Sequence, residues 1–192
     1  MSVNCIVATY PRSGKTFFVS TFAHNTFVKL PYTHLHEGDK EDILFDYENI
    51  VTIIRDPLES ISSLITMEYT YYEDLQKTYK EDIDLLIKNK INTRIKEYEN
   101  FYSIILKNSD IVIDFKKLIF NTKDIIYSVA NKLNLEIKTN NFQNFVKDDP
   151  SVNFLKTSKN QQIYNEINLI IKKQNLSHCY ELFNQATSII NT

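Results

Sequence analysis

The sequence predicts an α/β fold, with a central, mostly parallel sheet of about four or five strands flanked by helices in three layers. Three observations carry that prediction. Short apolar, β-branched runs alternate along the chain with stretches of helical periodicity. The first run, Cys5-Ile6-Val7-Ala8-Thr9, feeds through a turn into a helix. Glycine is scarce, only 2 in 192 residues, which argues against a turn-dense sandwich or barrel.

The elements follow in order. Residues 5–9 form an apolar run that stops at a Pro- and Gly-containing turn, as a buried strand does. Residues 16 to about 27 carry Phe18 and Phe22 at helical spacing. A second strand is expected within residues 28–34, interrupted by Pro31, which cannot donate to a ladder. Residues 37–48 are acidic, contain Gly38 and read as loop or short helix. The β-branched run Ile50-Val51-Thr52-Ile53-Ile54 is the third strand. It stops at Arg55-Asp56-Pro57, where Pro57 suits the first turn of a helix.

Leu58, Ile61, Leu64 and Ile65 then repeat at helical spacing through residue 72, and residues 76–107 continue as a long helix with charged faces and room for one break. The Lys/Glu alternation between Lys77 and Glu99 is expected to be a solvated surface, and Tyr69, Tyr71 and Tyr72 a partly exposed face. Ile111-Val112-Ile113 is the last strand, with Asp114 at its end. Helices follow from about 122 to 133 and again beyond Pro150. With no repeat, low-complexity tract or linker, residues 1–192 read as one domain.

Composition narrows the partners. A formal net charge of −2 gives no global basic field, so nucleic acid is not expected and any anion site must be local. Cys5 and Cys179 have no zinc-like spacing and read as reduced thiols, with no metal expected. No apolar run approaches the ~18 residues of a membrane span, and the first residues lack a basic leader region. A cytoplasmic protein without membrane partners is the expectation.

The chemistry concentrates in Thr9-Tyr10-Pro11-Arg12-Ser13-Gly14-Lys15-Thr16. A helix N-terminus offers unpaired N–H groups and a partial positive charge, which together bind phosphate. Gly14 permits close backbone approach, Arg12 and Lys15 add cations, and Thr16 adds a hydroxyl. The general P-loop pattern G-x-x-x-x-G-K-[ST] matches except that Thr9 replaces the first Gly.

These residues resemble a family. Residues 9–17, ending in Phe17, are similar to the 5′-phosphosulfate loop of sulfotransferases that use 3′-phosphoadenosine 5′-phosphosulfate (PAPS), usually T-Y-P-K-S-G-T-T-W. Arg55-Asp56-Pro57, with Ser63 eight residues after the Arg, resembles the family's 3′-phosphate signature. Tyr32-Thr33-His34-Leu35 resembles its K-T-H-L segment, and residues 113–118 its strand-to-helix Y-E-D-L region. The departures are Lys15 for the usual Thr, Tyr32 for a Lys, Phe17 for the adenine-stacking Trp, and no C-terminal R-K-G-x-x-G, whose charge Lys156 and Lys159 are the nearest residues to supply.

The resemblance implies a P-loop NTPase-like sulfotransferase fold and sulfuryl transfer from PAPS, without metal, to a hydroxyl or amine of a small-molecule or carbohydrate acceptor. It implies that Arg12, Ser13, Gly14, Lys15, Thr16 and Phe17 hold the 5′ end and adenine of the donor, leaving adenosine 3′,5′-bisphosphate as product. Arg55 and Ser63 hold the 3′-phosphate, Arg12 stabilises the leaving oxygen, and His34 is the general base, with His36 its decoy. Two other classes stay open: a P-loop kinase using Mg²⁺-ATP through Lys15 and Thr16, and a module that binds a phosphonucleotide without catalysis.

Overall fold

The computed structural model of the protein describes residues 4–33, 46–79, 83–138, 142–143 and 157–189, with the backbone alone for 71–79 and 83–88. Its described strands are β1 (Cys5–Thr9), β2 (Tyr32–Thr33), β3 (Asn49–Ile54) and β4 (Ile111–Asp114). They form one sheet in the order β2-β1-β3-β4, and all three pairings are parallel. The helices are α1 (Lys15–Asn25), α2 (Pro57–Tyr79), α3 (Ile83–Asn108), α4 (Phe115–Phe120), α5 (Thr122–Lys132), α6 (Ser158–Ile171) and α7 (Ser177–Ile189).

Strand alternation divides the core in two. Cys5, Val7, Val51, Ile53, Ile111 and Ile113 point to one face, where they meet α1, α4 and α5 through Phe18, Phe22, Leu118 and Ile126. Ile6, Ala8, Ile50, Ile54 and Val112 point to the other, where α2, α3, α6 and α7 pack through Ile61, Tyr102, Ile171 and Cys179. A sheet covered on both faces explains why its strands are apolar runs and not alternating ones.

Two expected elements differ. Among the described residues the second strand covers Tyr32–Thr33 and starts after Pro31, which brings no N–H; its carbonyl instead accepts from the Val7 N–H at 2.9 Å. The helix after β3 runs to Tyr79, past the expected end near 72, since no Gly or Pro interrupts residues 58–110. The acidic stretch at 37–45, His34, His36 and Lys156 lie outside the described residues. No described helix is long and apolar enough to cross a membrane.

Both thiols are fully buried, and burial first, then a nearby carboxylate (Asp110 or Glu99), pushes each up to about 12. Since the thiolate is the reactive form, a thiol-specific disulfide reagent at pH 8 should label neither Cys5 nor Cys179 in the folded protein and both in denaturant. Labelling of either at native rates would contradict the packing.

Candidate functional site

The chain leaves β1 at Thr9 and must turn before α1 begins. Two residues in the turn adopt the left-handed conformation, Arg12 (φ 65°) and Gly14 (φ 88°). For arginine this is uncommon and costs of the order of 1–3 kcal/mol, so surrounding contacts must hold it. They come from the segment after β3. The Arg55 Nη1–H donates to the Arg12 carbonyl at 2.9 Å, the Ser60 hydroxyl donates to the Pro11 carbonyl at 3.2 Å, and the Arg12 Nε–H donates to the Ser63 hydroxyl at 3.2 Å.

A second layer comes from α3. The Tyr102 hydroxyl donates to the Ile53 carbonyl at 3.0 Å and lies 3.4 Å from the Ser13 hydroxyl. Tyr98 donates to the Arg55 carbonyl at 2.8 Å, and Tyr10 to the Arg94 carbonyl at 3.1 Å. Burial holds all three phenols well above their ordinary ionisation range, so they stay donors at any working pH. The Tyr10, Tyr98 and Tyr102 rings pack within 6.5 Å of one another, sealing the underside of the loop.

Gly14 is the N-cap of α1 and offers no side chain to the first-turn N–H groups. It has a steric reason too. A Cβ there would stand 2.5 Å from Cδ2 and Cε2 of Phe115.

Above the loop opens a cavity of about 620 Å³, a size suited to a nucleotide-sized ligand. Arg12, Gly14, Lys15, Thr16, Phe17 and Arg55 line it. So do Leu64, Met67 and Glu68 from α2, Arg94 from α3, and Phe115 and Ile119 from α4. Arg12, Lys15 and Arg55 thus face one cavity at the carboxyl ends of β1 and β3, between strands whose onward connections diverge. Arg94 adds a fourth cation to its wall. Arg55 is held from several sides, by the Arg12 carbonyl, by Glu59 at 3.4 Å, and by the Phe115 ring 4.8 Å from its Cζ. The Lys15 ammonium lies 4.1 Å from the centroid of the Tyr32 ring, and burial pushes it down to about 8.

The structure therefore brings Arg12, Gly14, Lys15, Thr16, Phe17 and Arg55 to one cavity wall, with the Ser13 side chain buried beneath it beside Ser60 and Tyr102. Ser63 is adjacent but fully buried, touching Arg12 and not among the residues on the cavity wall. His34 lies outside the described residues, while Tyr32 and Thr33 just before it pair with β1. Lys159 lies in the first turn of α6 and is not among the residues lining the cavity.

The expected solvated face between Lys77 and Glu99 is corrected over residues 90–97. Glu68 accepts from Lys90 and from Arg94, and Arg94 also donates to Glu97, all with side chains about 16–21% exposed. Burial alone would pull the Arg94 guanidinium down, but its hydrogen bonds to Glu97 and Glu68 more than offset this and raise it. Phe115 is a cavity residue that sequence patterns do not single out, its one signal being the Asp114 before it. That carboxylate caps α4 by accepting from the Lys116 and Lys117 N–H groups at 2.6 and 3.2 Å, which fixes where the aromatic residue begins the helix. No protein-family model matches the chain, and comparison with curated proteins finds no match.

Two outcomes follow for the loop. Gly14→Ala combines a disfavoured φ with a clash against Phe115, so urea unfolding should show a loss of about 2 kcal/mol, and phosphate-ligand binding should disappear. Lys15 should make anion binding pH-dependent. A bound anion favours its charged form and raises its pKa, so affinity is flat below about pH 8 and falls as pH climbs above it, where binding must take up a proton. Calorimetry at pH 8.5 in buffers of different ionisation enthalpy should detect that uptake, and Lys15→Met should abolish it.

Proposed function

We propose that this chain transfers a sulfuryl group from PAPS to a hydroxyl or amine of a small-molecule or carbohydrate acceptor, using a P-loop NTPase-like sulfotransferase fold. The observation that carries the reading is the convergence of Arg12, Arg55 and Ser63 beside the N-terminus of α1. A parallel sheet ordered β2-β1-β3-β4, with the loop leaving the central strand β1, supports the architecture.

In this reading the N–H groups of residues 13–17 and the Thr16 hydroxyl hold the 5′-phosphate. Arg55 holds the 3′-phosphate, joined by Ser63 once Arg12 turns from it toward the ligand. Phe17 offers an aromatic face to adenine. His34 takes the acceptor's proton as its oxygen bonds to sulfur and the sulfur–oxygen bond to the 5′-phosphate breaks. Arg12, with Lys15, stabilises charge gathering on that leaving oxygen, and adenosine 3′,5′-bisphosphate remains. Against Mg²⁺-ATP chemistry stand Thr9, in the place of the first P-loop Gly, and the Arg55 and Ser63 pair. Lys15, Thr16 and Asp114, which caps α4 through one carboxylate oxygen, are the residues that favour it.

Calorimetry should show adenosine 3′,5′-bisphosphate, titrated without metal, binding at least about tenfold tighter than Mg²⁺-ATP titrated with Mg²⁺ present, a margin that one charged phosphate contact readily supplies. Tighter Mg²⁺-ATP binding would overturn the reading in favour of a kinase. In a transfer assay over a broad acceptor panel, His34→Ala should lose about a hundredfold or more in rate and His36→Ala should not. Bisphosphate binding with no transfer to any acceptor would leave a non-catalytic binding module.

A further inference from the structure

Phe115 occupies an unusual position among the cavity-lining residues. Its ring presses against Gly14, closely enough that a Cβ there would lie 2.5 Å from two ring carbons. The same ring carries the Arg55 guanidinium, whose Cζ is 4.8 Å from its centroid. One rigid side chain thus touches both the loop that begins α1 and the cation that ends β3. The ring is itself placed by Asp114, which accepts two N–H groups of α4 and so fixes the chain's exit from β4.

A guanidinium stacked on a ring uses its face for the cation–π contact and keeps its N–H edges for oxygen acceptors. One of those N–H groups holds the Arg12 carbonyl and one faces Glu59. Without the ring, Arg55 would keep its charge but lose the surface that sets its plane.

We propose that Phe115 is a positioning residue that sets the separation between two anion-binding centres, the loop at Gly14 and the Arg55 guanidinium, and thereby selects ligands carrying two anionic groups over ligands carrying one. This rests on the reading that the loop and Arg55 each take one phosphate. The selection is geometric: a planar ring locked between the two centres fixes their spacing, whereas a flexible aliphatic chain would let Arg55 drift.

The test is calorimetric titration of the full chain with adenosine 3′,5′-bisphosphate and with adenosine 5′-monophosphate. The wild type should prefer the bisphosphate. In Phe115→Leu the bisphosphate should weaken about tenfold, the order of a desolvated cation–π contact, while the monophosphate changes less than about twofold. Phe115→Tyr, which keeps the ring, should retain the wild-type ratio. If Phe115→Leu does not fold, Phe115→Met fills the space without a ring and must show the same loss of preference. A fall of both affinities in step, or an unchanged ratio, overturns the proposal while leaving the two-phosphate reading intact. A wild type without preference for the bisphosphate overturns both.

Discussion

A buried backbone carbonyl left without a donor costs about as much as a lost hydrogen bond, and the crossing from strand to loop creates several at once. At the end of β1 the Pro11 and Arg12 carbonyls turn away from the ladder, and the Arg55 carbonyl follows β3. Side chains supply what the sheet no longer can: Ser60, Arg55 and Tyr98 donate to these oxygens, with Tyr102 donating to that of Ile53. Everything above the sheet depends on this exchange. It holds Arg12 in its left-handed conformation and directs Gly14 and the start of α1 toward the cavity.

The arrangement also separates rigidity from charge. The underside of the loop is aromatic and neutral, sealed by Tyr10, Tyr98 and Tyr102 with phenols that stay protonated. The upper side carries Arg12, Lys15 and Arg55 at the cavity. Cations held over a low-dielectric, hydrogen-bonded floor need little reorganisation to meet an anion. Between α2 and α3 the Glu68, Lys90, Arg94 and Glu97 cluster balances its own charge.

The sheet was legible because strands buried on both faces are apolar runs, as residues 5–9, 50–54 and 111–113 are apart from the buried Thr9 and Thr52. The loop was legible because Gly14 and its neighbouring cations stand between a strand and a helix. What was hidden depends on long-range packing. Tyr98 and Tyr102 continue the spacing of Ile91 and Ile95 on α3, which marks a buried face but not which carbonyl each hydroxyl finds. Arg94 and Glu97 look like one more charged pair on a surface helix until α2 is laid beside them. Ser63 was recognisable by its spacing from Arg55, whereas its contact with Arg12 was not. Phe115 could not be paired with Gly14 from sequence, because a steric requirement that forbids a side chain leaves no trace of its cause.

The ties that hold the loop span great lengths of chain: Arg12 to Ser63 across 51 residues and Ser13 to Tyr102 across 89. The supports all follow the loop in the chain, Arg55 by 43 residues, Ser63 by 51 and Tyr102 by 89. Contacts so distant are slow to form, because the intervening chain must be closed before they repay the entropy lost. The loop is therefore finished late, in chains whose sheet, α2 and α3 are already assembled.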